Sequence, residues 1–462
     1  KFPVDGVISH ELEVRNDKEL NPLEYELSPE KFNLSSFYNI DQTNADLFGK
    51  CRQFSVLYNE WAKSPKFQYR TPREASKGMR IKLKRPRRGG RNDYLVMGSN
   101  DYWGLSTHPK VTEAAKDAID KFGFGSTGSP VTTGNTVIHE ELTEFLAKLF
   151  HKEKAILFNS GYAANVGAIT ALVSEQDLCL ADILSHASIQ NGMQMAKATG
   201  RFFKHNDLEH LNKTLTQDRA QYSGALIITE GIFSMDGDYP PLDKITEIAK
   251  NNNARLYVDE AHSFGVLGKT GLGACEKFDV IDDTDIIMGT FSKICGGIGG
   301  FIASNSEVIE WLYFYSQAHL FSVSMPPSTA AAALAALKIF REQTDYLETL
   351  RNNVKHFVAG LQHLGCPITA THESCVVPVV IGDEEKLGVI HQHLMDAGVY
   401  TIPMVFPAVS RNSCRFRFTI TREHTISDLD YVLNVLEVAM TKAQFSFAEL
   451  QEKAGISNKK AA

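Results

Sequence analysis

Cysteine is scarce in this chain of 462 residues, with seven in all. Cys51, Cys179, Cys275, Cys295, Cys366, Cys375 and Cys414 form no CxxC pair. An odd, scattered set does not make a disulfide frame or a zinc site, and it reads as the reduced thiols of a cytoplasmic protein with no metal centre. Long hydrophobic runs are also missing: none reaches the roughly 18 residues a spanning helix needs, so no membrane span is expected. Nor is positive charge in excess. Lys and Arg number 48 against 55 Asp and Glu, a net charge of −7, which argues against a general nucleic-acid binder. There is no internal repeat and no long low-complexity segment. The first residues, Lys1 to Asp5, carry neither an initiator Met nor a signal-peptide pattern, as expected of a piece of a longer polypeptide.

What is there is a soluble, mixed composition, 43% hydrophobic and 22% charged. Residues 1–95 read as a polar N-terminal extension with one amphipathic helix, Asp46 to Trp61, and a hairpin turning at Arg88-Gly89-Gly90-Arg91. Residues 96–345 alternate between apolar β-rich runs and helical periods. The runs are Ala155–Phe158, Leu178–Leu180, Ala225–Thr229, Arg255–Val258 and Asp285–Met288. Such alternation predicts an α/β fold whose mainly parallel sheet is covered on both faces. Residues 346–445 read as a smaller C-terminal α+β domain and 446–462 as a tail. In parallel sheets ligands bind beyond the C-terminal strand ends. Four polar clusters sit there: "NSGYAAN", "TEGIFSMDG", "DEAHSFG" and "GTFSK".

Two nucleotide-site decoys fail. "SFGVLGKTG" has Ser263 where a phosphate loop needs glycine, and the run from Gly296 to Gly300 has Ile302 where a dinucleotide fingerprint needs its last glycine. A carboxylate, Asp259, an imidazole, His262, and an amine, Lys293, fall at adjacent strand ends. Taken singly, each is as consistent with a capping carboxylate, a satisfied loop histidine and a solvated lysine. Together they suit pyridoxal phosphate: the lysine forms a Schiff base and the aspartate keeps the ring nitrogen protonated. Ser160 and Gly161 open a helix whose N-terminus can receive the phosphate.

The strings "SNDYWGLSTHP", "FGFGSTGSPVTTGNTVIHEELTEF", "SHASIQNG", "EGIFSMDGDYPPL", "VDEAHSFGVLGKTGLG", "GTFSKICGGIGGF" and "FSVSMPP" resemble the α-oxoamine synthases, in order, over roughly residues 95–440. The resemblance implies a fold-type I pyridoxal-phosphate transferase acting as a homodimer with a shared active site. It implies Lys293 as the Schiff-base lysine and α-proton acid/base, Asp259 on the ring nitrogen, His186 on the ring face, and His262 and Ser234 on the phenolic-oxygen side. Ser160, Gly161, Tyr162, Thr290 and Ser292 would hold cofactor or phosphate, and Ser322 the phosphate of the neighbouring subunit. Asn100 and Arg417 would bind the amino-acid carboxylate. Arg415 and Arg417 share a strand face because they are two residues apart, and the motif position favours Arg417.

The reaction implied is a decarboxylative condensation of a small amino acid with an acyl thioester, giving an α-aminoketone. Ser129, standing where glycine-using members carry threonine, favours alanine or serine over glycine, a discrimination of about 1–3 kcal/mol. The acyl donor is coenzyme A or an acyl carrier protein. The basic stretch "RIKLKRPRRGGR" would meet the phosphates of one or the acidic surface of the other, or be a solvated hairpin tip. The competing readings are a pyridoxal-phosphate lyase of threonine-aldolase type and an inactive partner subunit. The presence of Lys293, His186 and Asp259 argues against the second.

Overall fold

The computed structural model of the chain describes residues 47–63, 69–84, 91–369, 371–406 and 408–453. These fall into two compact units, one ending at Gln68 and one beginning at Tyr69. In the first, the expected amphipathic segment is a helix, Gly49–Lys63, closed by a Lys63–Glu60 ion pair of 2.6 Å and a Phe54–Tyr58 ring contact. The tip expected at residues 88–91 lies largely outside the described residues.

The strands of the second unit are β1 (Arg73–Lys77), β2 (Arg80–Leu83), β3 (Asp93–Val96), β4 (Lys154–Phe158), β5 (Asp177–Asp182), β6 (Thr199–Phe203), β7 (Gly224–Glu230), β8 (Arg255–Asp259), β9 (Ile286–Thr290), β10 (Gly300–Ser304), β11 (Val376–Val380), β12 (Val399–Tyr400), β13 (Pro403–Met404) and β14 (Arg415–Thr419). The central sheet runs β4-β10-β9-β8-β7-β5-β6. Strands β5 to β9 are mutually parallel, and β10 lies antiparallel between β4 and β9. The five apolar runs of the sequence are β4, β5, β7, β8 and β9. Strands β6 and β10 escaped the sequence pattern.

The runs are continuous rather than alternating because both faces of the sheet are buried. Along β4, Ala155 and Leu157 join one core while Ile156 and Phe158 join the other. The same split separates Ala225 and Ile227 from Leu226 and Ile228 on β7. Helices Gly161–Leu172, Ala187–Met195 and Ser306–Tyr315 supply apolar side chains to the second layer. Helices Val137–Leu149 and Pro327–Glu342 supply the first. Each fully buried Leu or Ile contributes about 1.5–3 kcal/mol to this sandwich.

Two smaller sheets flank the site. One is β11-β14-β13, antiparallel throughout. The other is β1-β2-β3-β12, in which the expected hairpin of β2 and β3 is extended by β1 on one side and by β12 on the other. Thr419 of β14 donates to the Met97 carbonyl at 2.8 Å, tying the two sheets together.

Backbones approach closely where β10 begins. A Cβ on Gly300 would lie 2.7 Å from the Gly161 Cα and 2.8 Å from its nitrogen. Neither backbone atom can swing aside. Gly300→Ala is therefore expected to cost about 1–3 kcal/mol, read as a lower thermal midpoint, and to shift the start of the helix Gly161–Leu172.

Candidate active site

Strand β8 ends at Asp259, which is buried and doubly held. Its Oδ2 accepts from Asn165 Nδ2 at 2.7 Å and its Oδ1 from the Ala261 amide at 2.9 Å. Asn165 sits one turn into the helix after Gly161. It also donates to Ser188 Oγ at 2.9 Å and accepts from the Tyr257 hydroxyl at 2.7 Å. With every polar atom of its amide engaged, Asn165 fixes the orientation of the carboxylate.

Strand β9 ends at Thr290, and Lys293 follows in the turn. Withdrawal from water pulls the Lys293 pKa down; Asp259 and Glu230 oppose that pull, while Arg417 reinforces it. His186 caps the helix Ala187–Met195. Its Nδ1 lies 2.7 Å from Ser188 Oγ, and its amide donates to the Glu230 carboxyl. Partial desolvation lowers the His186 pKa, Asp259 acts against this and Lys293 with it. Burial, followed by the charge of Asp259, holds the Glu230 carboxyl well above the usual range.

His262 is buried, and burial, Lys293, Arg417 and His186 together drive its pKa well below 6.5, so the ring is neutral. The Tyr102 hydroxyl lies 2.6 Å from its Nδ1. Burial raises the Tyr102 pKa, so the phenol keeps its proton and can donate to Nδ1. That leaves Nε2–H as the other end of the ring, an assignment from the hydrogen-bond network.

The two arginines of β14 separate cleanly. Arg415 bonds the Asp236 carboxylate at 2.6 Å and the Met235 carbonyl at 3.1 Å. Arg417 donates to the Ser234 carbonyl at 2.5 Å and to Asn100 Oδ1 at 3.5 Å. It is buried, and among the described residues no carboxylate forms an ion pair with it. A buried guanidinium with only neutral oxygens beside it is a site for an anion.

A second anion site lies at the helix Gly161–Leu172. Ser160 caps it by accepting from the Ala163 amide at 3.0 Å, and its first turn holds no acidic residue. A Cβ on Gly161 would stand 2.9 Å from Met288 Cε and 3.1 Å from Thr290 Cβ, so the helix start is pressed against the end of β9. There Thr290 Oγ1 bonds the Gly299 carbonyl at 2.7 Å and lies 2.8 Å from Ser292 Oγ. The Tyr162 ring meets the His186 ring edge-on, with centroids 6.3 Å apart. Pyridoxal phosphate fits these groups: a helix N-terminus with hydroxyls for its phosphate, a fixed buried carboxylate for its ring nitrogen, and a lysine of lowered pKa.

Lys293, Asp259, His186, His262, Arg417 and Asn100 thus come together with Ser234, whose carbonyl holds Arg417. Ser160, Gly161, Tyr162, Thr290 and Ser292 gather beside them. Ser129 and Ser322 have other neighbours. Ser129 Oγ donates to the Leu320 carbonyl at 2.7 Å. Ser322 lines a cavity of about 340 Å³ with Pro130, Asn135, Asn159 and Phe314. Sequence reasoning missed Tyr102, Asn165, Ser188 and Glu230. All four lie inside the quoted strings, but only the fold shows which partner each serves.

A further network steadies the loop that carries Ser234. His205 Nδ1 lies 3.0 Å from Asp182 Oδ1 and its Nε2 2.8 Å from Asp238 Oδ2, with its ring edge-on to Phe233 at 4.5 Å. Burial alone would lower the His205 pKa, but the two aspartates overcome it and raise the value to about 10.

The model of the family "aminotransferase class I and II" matches residues 92–436. The 8-amino-7-oxononanoate synthase of Treponema denticola is 39% identical over 343 residues, 74% of this chain and 87% of that protein. Serine palmitoyltransferase of Bacteriovorax stolpii is 37% identical over 345 residues, 75% and 82% of the two chains. PigH of Serratia sp., a 4-hydroxy-2,2'-bipyrrole-5-methanol synthase, is 36% identical over 391 residues; the match takes in 85% of this chain but spans only 60% of PigH. Among solved structures, serine palmitoyltransferase of Sphingomonas wittichii superposes with a TM-score of 0.81 at 31% identity, over 87% of this chain and 99% of that one.

The His205 network has a pH signature. Because the folded value, about 10, lies above the ordinary 6.5, the network's stabilisation is complete below the lower value and disappears as pH rises through the upper one. In thermal melts the deficit of His205→Gln relative to the parent is expected to be largest near pH 6 and to shrink towards about pH 10. A deficit that is flat across this range contradicts a charged His205.

Proposed function

Because the chain belongs to the aminotransferase class I and II family and, within it, to the α-oxoamine synthases, we propose that it condenses a small α-amino acid with an acyl thioester. Thiol and carbon dioxide leave, and an α-aminoketone remains. What supports this reading is a Lys293 whose pKa is lowered by withdrawal from water, raised by the Asp259 carboxylate that Asn165 holds and lowered further by the Arg417 guanidinium that the Ser234 carbonyl holds.

Pyridoxal 5'-phosphate is the cofactor, and when bound it supplies a ring that withdraws electrons from the substrate's α-carbon. Asp259, clamped by Asn165, would hold the proton of the ring nitrogen. Arg417 and Asn100 would grip the substrate carboxylate and orient the α-proton towards Lys293 Nζ, the base, whose pKa is lowered by withdrawal from water. His186 would bound one face of the ring, and His262 would offer Nε2–H to the phenolic oxygen from a ring held by Tyr102. The start of the helix Gly161–Leu172, with Ser160, Tyr162, Thr290 and Ser292, would take the phosphate. Ser322 and Ser129 would serve the site of a second copy, which makes the working form a homodimer.

Ser129 supports alanine or serine over glycine, since it is one methyl smaller than threonine and its hydroxyl is tied to Leu320. The test is free-thiol release during incubation with each amino acid and an acyl thioester. Turnover with alanine or serine exceeding that with glycine is expected. Lys293→Ala should lower turnover by at least about 10³-fold and abolish the cofactor's visible absorption band. Arg417→Lys should raise KM for the amino acid about tenfold or more, since a lysine cannot make the bidentate contact. Retained turnover in Lys293→Ala overturns the proposal, and thioester-independent cleavage of a β-hydroxy amino acid replaces it with the lyase reading.

A further inference from the structure

We propose that the exposed face of the hairpin β1-β2 docks an acidic acyl carrier protein that presents the acyl group as a thioester. The inference rests on the acyl-transfer reading above and names the donor it left open. Between Tyr69 and Arg91 the chain carries ten Lys or Arg and a single Glu, in a protein whose net charge is −7. The pleat decides where the described part of this charge points. Ile81 and Leu83 turn inward onto Tyr94 and Met395, so Arg80, Lys82 and Lys84 face water. Across the ladder Lys77 is paired in register with Arg80, two like charges directly opposite. Such a pair destabilises a sheet, and Asp428 offsets it on the Arg80 side only. Asp428 meets Arg80, and Arg91 donates to the Ala397 carbonyl at 2.8 Å. Among the described residues Arg73, Lys77, Lys82 and Lys84 form no ion pair, and all are exposed.

The form of this patch selects the partner. The phosphates of a nucleotide thioester call for a concave site with bidentate arginines or helix N-termini. Lys77, Lys82 and Lys84 are instead point charges spread over one face of a hairpin whose edge strand, β1, is exposed along its whole length. That geometry matches a helix lined with Asp and Glu on a protein partner. A long nucleic acid would meet the repulsion of the remaining, acidic surface. The position matches as well. The chain leaves β3 through Met97 to Asn100, which contacts Arg417 at 3.5 Å, so a carrier seated on the hairpin lies one strand away from the segment leading to the substrate end of the site.

The experiment compares the parent with the charge-reversed triple variant Lys77→Glu, Lys82→Glu, Lys84→Glu and with the milder pair Lys82→Gln, Lys84→Gln. Fluorescence anisotropy reads binding of a labelled, acidic holo acyl carrier protein, without acyl group or turnover. Expected is binding that weakens with added salt, falls about tenfold or more in the triple variant and falls less in the pair. In a separate arm, kcat and KM for an uncharged acyl-N-acetylcysteamine thioester should be unchanged in both variants, while KM for the acylated carrier rises. No carrier binding by the parent, carrier binding unaltered by charge reversal, or equal KM for acyl-coenzyme A and acylated carrier overturns the proposal. So does salt-sensitive binding of a labelled RNA that exceeds carrier binding. Failure of the parent to release thiol from any donor, with carrier binding intact, counts against the acyl-transfer reading and leaves the docking surface standing.

Discussion

The site depends on one electrostatic arrangement: a half-buried amine whose pKa is lowered by withdrawal from water is opposed by a carboxylate that cannot move. Desolvation lowers the Lys293 pKa, and the carboxylate of Asp259 opposes it. Were Asp259 free to swing onto the amine, it would lock the lysine as an ammonium. It is not free, because Asn165 holds one oxygen at 2.7 Å and the Ala261 amide the other at 2.9 Å. Asn165 is in turn fixed by Tyr257 and Ser188. The lysine's availability as a base therefore rests on an amide that titrates nothing.

The sheet makes this arrangement possible. Parallel strands deliver Asp182, Glu230, Asp259 and the turn after Thr290 to one edge, and their apolar runs anchor each end in two cores. The positive side of the site comes from elsewhere, on β14. Opposite charges thus arrive on separate elements and are held apart by their own tethers, Arg417 by the Ser234 carbonyl and Asp259 by Asn165. The loop after β7 links the two, since it carries Ser234 and is clamped through Asp238 to His205.

Much of this was legible in the sequence, for identifiable reasons. Doubly buried strands read as unbroken apolar runs, so β4, β5, β7, β8 and β9 stood out, and with them the clusters at their ends. Strand β6, Thr-Gly-Arg-Phe-Phe, is a sheet-edge strand that buries little beyond Phe203. Strand β10 follows three glycines and begins on a fourth, Gly300, and so reads as loop. Strand β1 is exposed at every position, leaving no alternation to detect. The period of two placed Arg415 and Arg417 on one face and the motif position favoured Arg417, but that Arg415 is engaged by Asp236, 179 residues away in the chain, needed the fold. Tyr102, Asn165 and Glu230 were hidden for the same reason, since their roles are contacts across the fold.

The most direct test of this account is peptide mass mapping of the freshly isolated protein after borohydride reduction. A pyridoxyl phosphate adduct on Lys293, and on no other lysine, is the predicted result. An unmodified Lys293, or an adduct elsewhere, contradicts the role from which the rest of the chemistry follows.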